Sequence, residues 1–176
     1  MKAMKHIIKL FFMILFIDGA FAQNSWSLKS NSYVEQKMKK CKVNPKIKAF
    51  SSWETNIKKV KNTASKAKLR IEKVDDLIIE LPSIEGGVKH FKVYLPDPIK
   101  NNVGATQITE GTYLGICVED KNAKAEFNFN GGDFHCIITS KNGSVFFIEP
   151  YCSEVSDYYI TYLASDIEAV HDKFTE

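Results

Sequence analysis

Beyond its first 22 residues the sequence offers three histidines, four cysteines and a scatter of carboxylates as its reactive side chains. His90, His135 and His171 stand apart. None belongs to an H-E-x-x-H motif or to an i, i+4 pair that could grip zinc from one helix face. Asp133, His135 and Cys136 crowd together, so a metal site or a Cys–His nucleophile could be sought there. Adjacent residues of a strand point to opposite faces, which separates His135 from Cys136 if this segment is extended. Glu149, beside Pro150, is expected at the rim of an apolar face, and one carboxylate alone makes no acid–base pair. Neither G-x-S-x-G nor a glycine-rich phosphate loop occurs; Gly86-Gly87 and Gly131-Gly132 read as turns. Cys41, Cys117, Cys136 and Cys152 include no C-x-x-C pair, which excludes a thioredoxin-like motif and a zinc-ribbon half-site. The expectation is a chain that is not an enzyme, with no catalytic residues, no metal ligands and no cofactor.

The N-terminus has the form of a secretory leader. Lys2, Lys5 and Lys9 are followed by an apolar run from Leu10 to Ile17 and by Ala20-Phe21-Ala22, so cleavage is expected before Gln23. The run is shorter than the ~20 apolar residues that span a bilayer. No cysteine stands at the cleavage point to carry a lipid. The mature chain is thus expected to be secreted or periplasmic, without a membrane anchor. Losing three lysines and one aspartate takes the net charge from +3 to +1. That near-neutral total hides an asymmetry. Residues 37–73 carry thirteen Lys/Arg against Glu54 and Glu72, whereas residues 74–176 carry seventeen acids against seven lysines. Either the basic stretch lies on the domain's own acidic face, or it is a patch for an outside partner. Nucleic acid is a poor candidate, because the stretch lacks interleaved aromatics and the chain is exported.

These groups must be held by a mainly β (α+β) domain. Residues 23–50 are polar and lysine-rich and read as a basic extended arm in which a short strand can form. A helix is expected to start at Ser51-Ser52, with Trp53, Ile57, Val60 and Ala64 on one face and Lys58, Lys59 and Lys61 outside. Strands follow at Leu77–Leu81, Val88–Leu95, Thr112–Val118, Ala123–Asn130, Asp133–Thr139, Ser144–Tyr151 and Tyr158–Leu163, with a loop over Pro96–Gly104. The expected architecture is an antiparallel meander forming a sandwich or half-open barrel over residues 51–165. A tail follows at 166–176, and the capping-box pattern of Ser165-Asp166-Ile167-Glu168 allows a short last helix.

Gly131-Gly132 and Asn142-Gly143, read as two-residue hairpin loops, set a register. Phe127 then faces Cys136, Ile138 faces Phe147, and Phe134 faces Tyr151. The core face is expected to carry Phe127, Phe129, Phe134, Cys136, Ile138, Val145, Phe147 and Tyr151. A four-residue loop at Glu119–Asn122 would put Cys117 opposite Lys124, on the other face from Cys136. Cys152 shares the face of Cys117 but lies roughly 20 Å away along the sheet, whereas a disulfide needs Cα atoms within about 7 Å. At most one bridge is expected, Cys41–Cys152 or Cys41–Cys117, with Cys136 a buried free thiol.

Six segments in order resemble one protein family. They are Leu77–Pro82 with Gly87 and Phe91–Tyr94; Gly111–Gly115; Ala125–Phe127; Phe134–Ile138; Gly143–Tyr151; and Tyr158–Tyr162. Together they resemble the N-terminal prodomain of reprolysin-like zinc metalloproteases secreted by Bacteroidetes. The resemblance spans roughly residues 50–165. It implies a non-catalytic domain that binds, chaperones or inhibits a secreted zinc metalloprotease. The chain departs from that pattern in its four cysteines, its compressed loop at Pro98–Thr109, and the absence of a zinc-binding helix from the sequence. The alternative is a stand-alone exported binding or surface module of the same fold.

Overall fold

A computed structural model of the chain describes residues 25–69, 77–97, 99–100, 106–107, 111–152 and 157–168. The expected leader, Arg70–Asp76, Ser153–Ser156, and the tail beyond Glu168 with His171 lie outside the described residues.

In chain order the elements are β1 (Trp26–Lys29), α1 (Asn31–Lys37), β2 (Ser51–Thr55), α2 (Ile57–Ala64), β3 (Leu77–Pro82) and β4 (Val88–Tyr94). They continue with β5 (Ile99–Lys100), β6 (Thr106–Gln107), β7 (Thr112–Cys117), β8 (Lys124–Asn128), β9 (His135–Thr139), β10 (Val145–Pro150) and β11 (Tyr158–Leu163). Nine strands form one sheet in the order β1-β2-β11-β10-β9-β8-β7-β4-β3, which curls into a nearly closed barrel. β5 and β6 make a separate two-stranded ribbon, with β5 inside the stretch expected as loop and β6 just beyond it. The mainly β architecture of the sequence reading is what the structure has. Among the described residues no helix is long and apolar enough to cross a membrane.

Every neighbouring pair in the large sheet is antiparallel. With an odd number of strands, the two edges that meet, β1 and β3, run parallel. They are joined through a single residue, Glu80. Its backbone carbonyl accepts from the Trp26 indole at 2.9 Å, and its carboxylate accepts from the Ser25 backbone N–H at 2.9 Å.

Inside the barrel, Trp26, Phe127, Phe134 and Tyr159 pack as an aromatic cluster with ring centroids 5.5–6.2 Å apart. Gly115 lies inward between Val93 and Ala125. A Cβ there would sit 3.3 Å from the Phe91 side chain, so the close seat of Phe91 depends on the missing side chain. α2 adds Ile57, Val60 and Ala64 to this core and turns Lys58, Lys59 and Lys61 to solvent, as its spacing requires.

The helix expected from Ser51-Ser52 begins later. Residues 51–55 alternate as strand β2, with Trp53 in the core and its indole donating to Thr161 Oγ1 at 3.1 Å. Asn56, not serine, caps α2, its side chain accepting from the Lys59 N–H. Of the expected arm, the short strand is present as β1, and the extended remainder is corrected. Trp26 and Val34 are too apolar to stay outside a core, so β1 joins the sheet and α1 packs on the sheet's outer face. There Val34 meets Tyr151, Ile160 and Tyr162 in a second buried cluster. Residues 38–50 continue as a strap across this face. The strap is fixed by the Cys41–Cys152 disulfide (Cα–Cα 6.1 Å), a bridge between Ile47 and Ile167, and an ion pair of Lys48 with Glu168 at 2.7 Å. Within the basic stretch from Lys37 to Lys68, Lys48 is the one lysine in an ion pair among the described residues. A 3-10 turn, Ala164–Asp166, follows β11, closed by Asp166 accepting from the Leu163 N–H, and the body of the expected final helix lies outside the described residues.

Of the hairpin registers, that of β8 and β9 holds: Phe127 pairs with Cys136. The other two are one residue off. Ser140 bonds Ser144 around a three-residue loop whose last residue, Gly143, has φ +82°, so Ile138 pairs with Phe146. A glycine in the left-handed region closes such loops after a type I turn, which the Asn-Gly pair alone does not distinguish from a two-residue turn. One residue of slip exchanges the faces. Phe146 and Ile148 are core, while Phe147 lies outside, stacked on Tyr162, and Tyr151 belongs to the outer cluster. Likewise Ile116 pairs with Lys124, which turns Cys117 into the same core as Cys136. Both thiols are free, and Cys41–Cys152 is the bridge.

This register has a measurable signature. Phe134→Ala and Phe146→Ala should each lose ~3–5 kcal/mol in denaturant melts, as for buried phenylalanines. Phe147→Ala should lose clearly less. A larger loss for Phe147 than for Phe146 would contradict the pairing.

Candidate functional site

Two groups of titratable side chains emerge, with opposite characters. The first lies at the barrel seam, where sequence positions far apart converge. Glu80 pairs with His90 across the β3–β4 hairpin, and Cys117 leads into Glu119 beside them. His90 Nδ1 is 2.6 Å from Glu119 Oε1, and its Nε2 is 3.7 Å from Glu80 Oε1. The His90 backbone N–H also donates to both Glu119 oxygens, at 3.2 and 3.1 Å. The Cys117 thiol donates to Glu119 Oε2 at 3.2 Å. Burial raises the Cys117 pKa, and the Glu119 hydrogen bond and charge add to this, partly offset by backbone groups of Asp120 and Glu119. A thiol held protonated is a poor nucleophile. This cluster therefore ties β3, β4 and β7 together and holds the Cys117 thiol in its protonated form. Sequence reasoning missed it. The available signals were Glu80 opposite His90 in a hairpin and the i, i+2 spacing of Cys117 and Glu119.

The second group lies on the outer face, between the strap and β9–β11. Here the structure brings together Asp133, His135 and Glu149, the three residues that the sequence singled out, in one open groove of about 570 Å³. Cys136, the fourth, points into the core. Glu149 is not on the apolar face as expected, because the shift at Gly143 turns it outward. Its Oε2 accepts from the Tyr162 hydroxyl at 2.6 Å. Burial, reinforced by this bond and the carboxylate charge, drives the Tyr162 pKa well above its ordinary value. Tyr162 was not anticipated. Ile47, Ile160 and Ile167 supply apolar wall, and Lys42 lines the same groove. A second cavity, of about 470 Å³, lies against the strap on the side of Glu35, Val43 and Phe50. Strap residues 41, 42, 44 and 47 line both.

The polar groups of the groove are under-satisfied. Asp133 Oδ1 is buried without a hydrogen-bond partner. Nearby, burial pushes the Tyr159 hydroxyl up to about 12, opposed by the Phe134 backbone and assisted by the charges of Asp133 and Asp157. Among the described residues no group of three His, Cys, Asp or Glu side chains is placed to hold a metal ion. Compared with protein-family models, curated proteins and solved structures, the chain matches none.

The seam cluster gives a pH signature. Burial alone would raise the Glu119 pKa, but hydrogen bonds from His90, its own backbone, and Cys117 outweigh it and lower the value from 4.5 to about 2. A carboxylate with a depressed native pKa adds stability above its unfolded pKa and loses it as pH falls through the native one. The wild-type chain should therefore lose stability between pH about 4.5 and about 2. Glu119→Gln should flatten this part of the urea-melt profile, and an unchanged profile would refute the arrangement.

Proposed function

We propose that this chain is a non-catalytic exported binding domain of the prodomain type, which binds a secreted zinc metalloprotease and chaperones or inhibits it. The observation that carries the reading is the arrangement of the resembling segments. They fall in order on β3, β4, β7, β8, β9, β10 and β11, all strands of one sheet. Gly115, one of the motif glycines, has a packing role there against Phe91.

A binding role is also supported by the outer sheet face. In one cross-strand row, Leu114, Glu126, Ile137 and Phe147 sit on neighbouring strands, with Ile137 46% exposed. Apolar side chains aligned on a solvent-facing row are a usual component of protein contact surfaces. The seam cluster, by contrast, spends its histidine, carboxylates and thiol on one another, so it offers binding partners little.

The test is a titration of the purified, oxidised chain into the phenanthroline-sensitive protease fraction of the source culture medium. Casein hydrolysis and co-elution of the chain with the protease are followed together. Co-elution, with or without a stoichiometric fall in hydrolysis, is expected. Neither co-elution nor a change in rate at micromolar chain would overturn the protease reading and favour the stand-alone module.

A further inference from the structure

We propose that the groove between the strap and β9–β11 is a binding site for a basic side chain, the ammonium or guanidinium of a lysine or arginine presented by a peptide. The site stands independently of whether its partner is a protease.

Elsewhere in the domain most polar side chains near the core are engaged, the buried Tyr159 hydroxyl being an exception. Glu80 holds Ser25, Glu119 holds His90 and Cys117, Ser52 holds Asn31, and Trp53 holds Thr161. In the groove they are not. Among the described residues the His135 ring makes no hydrogen bond or ion pair, and Asp133 Oδ1 is buried and unpaired. Glu149 spends one oxygen on the Tyr162 hydroxyl and has no further protein partner. Buried polar atoms are almost always satisfied in folded proteins, and Asp133 departs from that rule beside a groove in which the part-exposed His135 and Glu149 keep hydrogen-bonding capacity for a ligand from solvent.

The sign of that ligand follows from charge. Among the described residues lining the groove, Asp133 and Glu149 contribute two carboxylates and Lys42 is the one lysine. An anion would meet both carboxylates, whereas a cation gains charge-assisted hydrogen bonds to them. The Tyr162 hydroxyl orients Glu149 and, as a donor, leaves that carboxylate's other lone pairs for an N–H donor. The remaining wall, Ile47, Ile160 and Ile167, suits an aliphatic stem, because lysine and arginine side chains lay their methylenes along apolar surface with the charged end in a polar setting. The volume, about 570 Å³, falls within the ~300–1,000 Å³ typical of small-ligand sites. His135, Glu149 and the Asp133 side chain apart from its buried Oδ1 are part-exposed, so a ligand entering from solvent can reach them.

The experiment is an amide-resolved NMR titration of the oxidised chain with Nα-acetyl-arginine methylamide and Nα-acetyl-lysine methylamide. Nα-acetyl-citrulline methylamide serves as the neutral isostere. Saturable shifts at His135, Glu149 and Ile167 are expected with one or both cations and not with citrulline; which cation binds more tightly separates guanidinium from ammonium recognition. Asp133→Asn and Glu149→Gln should each weaken binding about tenfold, the size of an ordinary charge-assisted contact. Lys42→Ala, at an exposed position, should tighten it. Shifts that do not saturate, equal binding of citrulline, or a Lys42→Ala variant that binds more weakly would each overturn the proposal. If either carboxylate variant unfolds, the Lys42 and citrulline arms still decide.

Discussion

β11 is apolar on both faces, and the cover it needs on each side organises the domain. Tyr159, Thr161 and Leu163 face the barrel interior, while Tyr158, Ile160 and Tyr162 face outward. The barrel itself covers the first set. The second lies on the convex side of the sheet, where water would reach it unless another layer were added. At ~25 cal/mol per Å² of apolar surface, leaving Ile160 and Tyr162 exposed would cost several kcal/mol. α1 and the strap supply that layer, with Val34 at its centre. α1 alone has too few residues to hold its place: one turn is capped by Ser30 and one side chain is buried. The strap is therefore tied at both ends. Asn31 binds the Phe50 carbonyl and the Ser52 hydroxyl on one side, and Cys41 is bonded to Cys152 on the other. The groove of Asp133, His135 and Glu149 is a consequence, because one of its walls is this tethered segment.

The barrel seam is a second consequence of strand arithmetic. Nine antiparallel strands cannot close with an antiparallel last pair, so β1 and β3 meet without a ladder. Glu80 replaces the ladder by using both its backbone and its side chain. A carboxylate at 9% exposure is costly to bury unless its lone pairs are used. His90 and the Ser25 N–H use them. The domain thus places one set of ionisable groups where they hold the fold, and leaves another set open on the far side of the sheet.

Much of this was legible in the sequence because alternation and turn residues are local. β3, β4, β7 and β11 follow their expected spans closely, and Ile57, Val60 and Ala64 mark a buried helix face. What the sequence did not carry was loop length to the residue. Asn142-Gly143 fits a two-residue turn and the end of a three-residue turn equally well. Choosing the former moved Phe147, Tyr151 and Glu149 to the wrong face. The same one-residue error at Glu119–Asn122 separated Cys117 from Cys136, which share a core. The segment 23–50 failed for another reason. Its apolar residues are sparse and its partners, such as Tyr151, Ile160 and Tyr162, lie more than a hundred residues on, so no local pattern reveals that it is a cover. Asp133, His135 and Glu149 could be named from sequence but not assembled, because their meeting depends on both the register and the cover.

The most direct test of this account is hydrogen exchange on the oxidised chain and on a Cys41→Ser/Cys152→Ser variant. The strap cover is held by the disulfide and the barrel core is not. In the variant, amides of α1 and of Lys48, which bonds the Asp166 carbonyl, should lose protection, while those of Phe127, Cys136 and Ile138 in the barrel should keep theirs. Unchanged protection of α1, or a collapse of the barrel amides together with the strap, would contradict it.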